Sequence, residues 1–299
     1  MVTIDKPDEL GIPVGNGTLR VLRFGTGPRL VLAVHGITGS AMAFRAIARQ
    51  LPVEYSLFAP DLRGRGGSAG LPGPYGLDRH ASDVLRAAEL LGRAGRLTLL
   101  GHSMGAYVAL RAAAARSALF DRLLLVDGGL PLPTPPGADP ERVLDSMLGP
   151  MLARLDRTFD SAAAYVDLFR AHPALGPYWN ADIEAYVRAD LTGPDGALRS
   201  RVSADAVRAD GRDLLTSTAR VEADLERLRL PALLVYAPRG LFDREPGLLP
   251  VGVVARWRER SPSLRTELLP GCNHYTIVLG ERARLVAQRL TEPLGDSPS

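Results

Sequence analysis

Two kinds of apolar run organise the first 130 residues. Residues 18–24 alternate apolar and polar positions, as an antiparallel strand with one wet face does. Residues 30–34, 55–59, 97–100 and 123–126 are nearly unbroken in Leu, Val, Ala and Phe, the mark of strands buried on both faces. Between them, 40–51, 78–92 and 106–115 carry apolar residues at helical spacing, with Ser40 at an N-cap position. Strands separated by helices in this order predict βαβ crossovers, hence an α/β fold whose mostly parallel sheet is covered by helices on both faces.

The alternation stops after residue 130. A proline-rich stretch (Pro131, Pro133, Pro135, Pro136, Pro140) leads into helical segments over 141–157, 161–171 and 182–190, and strand-like sequence resumes only near Leu233. Residues 232–236 and 264–269 then read as strands, 253–260 and 281–290 as helices. Residues 131–218 are therefore expected to be a helical insertion, a cap, in one core formed by 1–130 and 219–299. The end of the chain from Glu292 is polar and expected to fray.

Composition changes the picture by exclusion. The 299 residues are 46% hydrophobic and 23% charged, which is globular, and 36 basic against 33 acidic residues leave a surplus of only +3. Neither a nucleic-acid nor a membrane partner is called for. Lys6 is the sole lysine, so neither a phosphate-binding Walker loop nor a pyridoxal Schiff base has its lysine in a suitable place. Cys272 is the only cysteine, and the five histidines show no zinc spacing, so no metal and no cofactor are expected. The first ten residues contain acids and Pro7 where a signal sequence would be basic and then apolar, and a cytoplasmic monomer or homodimer is expected.

The chemistry concentrates in Gly101-His102-Ser103-Met104-Gly105, a G-x-S-x-G set between a strand and a helix. Such a sharp turn strains the serine backbone and leaves no room for side chains at 101 and 105. Serine needs a base to take its proton and an acid to orient that base. Of the histidines after Ser103, His172 falls in the insertion, whereas His274 lies in a loop between the last strand and the last helix and is the candidate base. Two aspartates could serve as the acid: Asp243, in the loop after 232–236, is preferred, and Asp127, directly after 123–126, is the alternative. His35 and His102 read as structural, Asp61 and Arg63 as pairing or capping in a glycine-rich turn, and Cys272 as a packing residue. Met104 opens a helix, where free N–H groups and the dipole favour negative charge.

With His35-Gly36 after an early strand, Asp61-Leu62-Arg63-Gly64-Arg65-Gly66-Gly67-Ser68 after the next, the Gly101–Gly105 elbow, Asp243 and His274, the chain resembles α/β-hydrolase fold proteins with a helical cap. The loop reaching Asp243 is longer than in many relatives, which keeps Asp127 open. The resemblance implies an oxyanion hole from the amides of Ile37 and Met104, and a serine hydrolase acting on a small hydrophobic ester, lactone or thioester. It equally covers carbon–carbon bond hydrolases, lyases and cofactor-free oxygenases with the same triad, and a hydrolase-like receptor with little turnover would be a reading of another class. Tyr165, Phe169, Tyr178 and Trp179 of the insertion are the candidate substrate-binding aromatics.

Overall fold

The computed structural model describes residues 6–92, 95–134 and 137–292. Pro135 and Pro136 of the proline-rich stretch, the first five residues and the terminal 293–299 lie outside the described residues. Eight strands form one sheet: β1 (Asp8–Pro13), β2 (Thr18–Phe24), β3 (Arg29–Val34), β4 (Tyr55–Pro60), β5 (Leu97–His102), β6 (Phe120–Val126), β9 (Ala232–Tyr236) and β10 (Leu264–Leu268), in the order β1-β2-β4-β3-β5-β6-β9-β10. Two further short strands, β7 (Leu191–Thr192) and β8 (Arg199–Ser200), pair with each other inside the insertion, where the sequence reading expected no strand. The β1–β2 and β2–β4 pairs are antiparallel and the rest of the large sheet is parallel.

The unbroken apolar strands follow from this layering. In β3, Leu32 and Val34 face one cluster while Val31 and Ala33 face the other, so both sides of the pleat must be apolar. One face is covered by α2 (Leu77–Leu91), α3 (Met104–Ala115), α8 (Thr218–Arg227) and α9 (Val251–Arg260), the other by the short α1 (Arg45–Ala48), α10 (Thr276–Leu279) and α11 (Ala283–Thr291). The helix expected over 40–51 is broken into a 3-10 turn, Ala41–Phe44, and α1. Ser40 makes no cap bond; the Ala41 N–H is taken at 2.7 Å by the buried carboxylate of Asp61.

Between β6 and β9 the chain forms α4 (Pro140–Ala153), α5 (Ala162–Arg170), α6 (Ala181–Ala189) and α7 (Ala204–Thr216), an inserted helical region over the carboxyl ends of the strands. Asp139, Ser161, Asn180 and Ser203 cap them in turn, each side chain accepting a first-turn amide. The insertion also caps the core. Gly76, at the N-cap of α2, has no side-chain oxygen to offer, and the Gly76 and Leu77 amides are taken by Asp210 and Asp213 of α7 at 2.5 and 2.8 Å. Among the described residues no helix is long and apolar enough to cross a membrane.

Candidate active site

The strand order fixes where a site can form. From β3 the chain moves outward to β4, then returns to place β5 on the other side of β3, so the loops leaving β3 and β5 diverge and open a crevice at their carboxyl ends. The β3 loop carries Gly36 to Gly39; the β5 loop carries Ser103.

Ser103 has φ 56° and ψ −126°, a region that costs an L-residue strain energy and persists only where the surroundings impose it. The surroundings are backbone in van der Waals contact. A Cβ on Gly101 would lie 2.3 Å from the Gly105 carbonyl oxygen, one on Gly105 2.0 Å from that of Val34, and one on Gly128 2.4 Å from that of Ser103 itself. The two glycines of the motif are thus sterically required, as is one following Asp127.

His274 meets Ser103: its Nε2 lies 2.9 Å from Oγ. Its Nδ1 lies 2.6 Å from Asp127 Oδ2, a short charge-assisted bond that fixes the ring's tautomer with Nε2 free to accept. Asp127 is fully buried, has φ 47°, and receives the Ala237 amide on Oδ1 at 3.1 Å. The preference for Asp243 is therefore corrected. Asp243 touches neither ring nitrogen; its carboxylate accepts the Tyr178 hydroxyl at 2.9 Å and Asn273 Nδ2 at 2.9 Å, and pairs with Arg239 at 3.3 Å. The longer loop carries it past the histidine and onto the insertion, where it braces the segment that holds His274.

His35 and His102, expected to be structural, are both bound to backbone groups. His35 receives the Leu62 amide on Nε2 at 3.0 Å, so its Nδ1 carries the proton and donates to the Gly36 carbonyl at 2.8 Å. Burial lowers its pKa to about 4. His102 donates Nε2–H to the His274 carbonyl at 2.9 Å, and burial, aided by the neighbouring His274, lowers its pKa to about 3. Cys272 is buried with its thiol on the Leu269 carbonyl, and burial with the nearby Asp127 charge pushes its pKa to about 12, so it is protonated and inert. In the glycine-rich turn, Asp61 takes the Ala41 and Gly67 amides and pairs with Arg20, whereas Arg63 pairs with Asp83 at 2.5 Å.

Ser103 and His274 open into a predominantly apolar cleft beneath the inserted helices. Leu144, Met147 and Leu148 of α4, Leu214 and Leu215 of α7, and Leu241 and Leu248 of the long loop form apolar walls, with Tyr186 and Tyr275 as polar points. Among the described residues no Arg, Lys, Asp or Glu lines it. Ile37 and Met104 both line it, and neither amide has an acceptor among the described residues. Met104 is the first residue of α3, where a free N–H is expected.

The four aromatics singled out in the insertion do not line the cleft. Tyr165 is buried on Asp190 and packs edge-on against Phe159 and beside Phe169, forming the insertion's own core. Tyr178 is spent on Asp243, and Trp179 donates to Glu184 beneath the Arg170 guanidinium. The lining instead uses aliphatic residues whose signal was the i, i+3, i+4 spacing of Leu144, Met147 and Leu148. Among the described residues no group of three His, Cys, Asp or Glu side chains converges on a possible metal site.

Comparison with known proteins agrees with this architecture. The chain is 29% identical over 268 residues to the N-formylmaleamate deformylase of Pseudomonas putida, covering 85% of this chain and 84% of that protein. It is 28% identical over 267 residues to the 2-(acetamidomethylene)succinate hydrolase of Mesorhizobium japonicum, covering 88% and 87%. A crystal structure of an E-2-(acetamidomethylene)succinate hydrolase superposes with a TM-score of 0.77 at 23% identity, over 96% of this chain and 98% of that one, and shares the fold. The family model described as "Alpha/beta hydrolase family" matches residues 31–289, which takes in the sheet from β3 onward, the elbow, the insertion and His274, and the chain belongs to that family.

Proposed function

We propose that the chain is a serine hydrolase that cleaves a neutral, apolar carboxylic ester, lactone or thioester through an acyl-enzyme. The observation that carries this reading is the continuous hydrogen-bonded series Ser103–His274–Asp127 opening into a cleft that, among the described residues, no Arg, Lys, Asp or Glu lines. Ser103 Oγ attacks the carbonyl carbon as its proton passes to His274 Nε2, and the imidazolium so formed is stabilised by Asp127. The carbonyl oxygen, now an oxyanion, is received by the Ile37 and Met104 amides, with the N-terminal dipole of α3 behind Met104. His274 returns the proton to the leaving oxygen or sulfur, and water repeats the sequence to release the acid. The insertion, residues 131–218, acts as a cap that sets which acyl group fits.

A second reading keeps the residues but changes the bond. Both long-range relatives are named for substrates carrying an amide nitrogen, and an amide leaving group also draws its proton from His274. Maleamate and succinate groups bring carboxylates as well, and among the described residues no Arg or Lys lines the present cleft to receive them. A neutral apolar substrate fits it better.

The test is labelling with a fluorophosphonate and peptide mapping, alongside hydrolysis of p-nitrophenyl esters and the matching anilides. Label on Ser103, ester turnover and its loss in Ser103→Ala are the expected results. A folded protein that takes up no label and turns over neither series would refute the hydrolase reading in favour of a ligand-binding role.

A further inference from the structure

Ile37 lies between two peptide planes, and both are held from behind. The Gly36 carbonyl accepts His35 Nδ1–H at 2.8 Å and the Gly39 amide at 3.0 Å. A trans peptide points its N–H opposite its C=O, so anchoring that carbonyl aims the Ile37 N–H the other way. On the far side, the Ile37 carbonyl accepts two bonds from one guanidinium, Arg65 Nε at 3.0 Å and Nη2 at 2.8 Å. With both planes fixed, φ and ψ of Ile37 are fixed too.

Arg65 is fully buried, and its remaining nitrogen, Nη1, serves the Arg63 carbonyl at 2.8 Å and Asp210 at 2.5 Å. Asp210 belongs to α7 of the insertion. Its oxygens also take the Gly76 amide at 2.5 Å and His80 Nε2 at 2.9 Å. Burial raises the Asp210 pKa, but Arg65 and His80 more than offset this and hold the carboxyl below its ordinary range, so it stays ionised beside the guanidinium. One carboxylate of the inserted region thus holds the guanidinium that holds the β3 loop.

We propose that Asp210 and Arg65 are positioning residues through which the inserted helices set the aim of the Ile37 amide, an inference that rests on the serine-hydrolase reading above. Asp210→Asn keeps the volume but leaves one accepting oxygen for three donors. Arg65→Lys keeps the charge but replaces a planar fork with a single nitrogen, which cannot give two bonds to the Ile37 carbonyl while reaching Asp210. Both changes loosen an amide whose bond matters most when the oxyanion forms, so kcat falls while KM holds. Asp213→Asn is the control: Asp213 sits on the same helix and accepts the Leu77 amide at 2.8 Å, and among the described residues it has no contact with Arg65.

The experiment measures kcat and KM on p-nitrophenyl butanoate, per Ser103 site titrated with fluorophosphonate, and the affinity for an alkyl trifluoromethyl ketone, which forms an oxyanion on the serine. Asp210→Asn and Arg65→Lys should each lower kcat about tenfold with KM within about twofold, and weaken the ketone in proportion. That is less than the roughly hundredfold or greater loss from deleting an oxyanion donor, because the amide is present but mis-aimed. Asp213→Asn should lower the melting temperature and keep both per-site values. If a single variant folds poorly, the double variant Arg65→Gln/Asp210→Asn, which removes both buried charges and keeps hydrogen-bonding amides, is read in the same way. Unchanged per-site kcat and ketone affinity, or an equal fall in Asp213→Asn, would overturn the proposal. Wild-type protein unlabelled at Ser103 would refute the hydrolase reading, and this inference with it.

Discussion

Replacing Asp127 by Asn should be far more damaging than the same change at Asp243, and the hydrogen bonds say why. Asp127 uses both oxygens, Oδ1 for the Ala237 amide at 3.1 Å and Oδ2 for His274 Nδ1 at 2.6 Å. An asparagine has one oxygen. If that oxygen stays on the backbone amide, its NH₂ faces Nδ1 and donates to it, so the ring proton moves to Nε2 and confronts Ser103 with a donor where a base is needed. In serine proteases that wrong-tautomer substitution lowers kcat by about 10⁴, equivalent to about 5.5 kcal/mol of transition-state stabilisation at about 1.36 kcal/mol per decade. The same order is expected here for Asp127→Asn. Asp243→Asn keeps a group that can accept the Tyr178 hydroxyl and is remote from the ring nitrogens, so kcat/KM should fall less than about tenfold, within the range of a displaced second-rank contact. The assay is ester hydrolysis per fluorophosphonate-titrated site, with circular dichroism to show that both variants are folded. A loss of about 10³ or more in Asp243→Asn together with less than tenfold in Asp127→Asn would refute the assignment and reinstate Asp243 as the orienting acid.

Two further outcomes follow from the cleft and the buried histidines. Leu215→Ala, which removes an apolar wall residue, should shift relative kcat/KM between short and bulky acyl esters by about tenfold, whereas Trp179→Ala, off the cleft, should leave that ratio within about twofold. His35 and His102 have folded pKa values of about 4 and about 3, below the ordinary 6.5, so the unfolded chain binds protons that the folded one refuses. Their contribution is fully present above about pH 6.5 and is lost as pH falls toward 4 and then 3; denaturant titrations between pH 7 and 4 should show stability dropping by several kcal/mol, and a flat profile would exclude neutral burial of these rings.

Much of the core is legible in the sequence because burial on both faces leaves unbroken apolar strands, and the elbow is legible because Gly101 and Gly105 have no steric alternative. His274 follows from chain order. Which aspartate meets it does not, since Asp127 and Asp243 follow the carboxyl ends of the neighbouring strands β6 and β9, and a linear spacing carries no information about which carboxylate reaches Nδ1. Both also have positive φ, so strain alone would not separate them. The aromatics of the insertion misled for a related reason: large rings are the best filling for a small helical unit's own interior, and Tyr165 and Phe169 are used there. Which face of α4 meets the cleft is decided by how the insertion docks, through contacts such as those of Asp210 and Asn273 that join residues far apart in the chain.

That docking has a consequence for how the protein is made. The first amides of α2 wait for carboxylates 134 and 136 residues further along, an interval on the order of ten seconds or more at ordinary rates of synthesis. During it, β1 to β5 can emerge and begin to pair, but the first turn of α2 is uncapped and Arg65 has no counter-ion. Closing so long a loop is entropically slow, and the nascent amino-terminal half meanwhile exposes a sheet face and a lone buried-type cation. Arg65, and through it the Ile37 carbonyl, therefore meets its partner Asp210 only once α7 has left the ribosome.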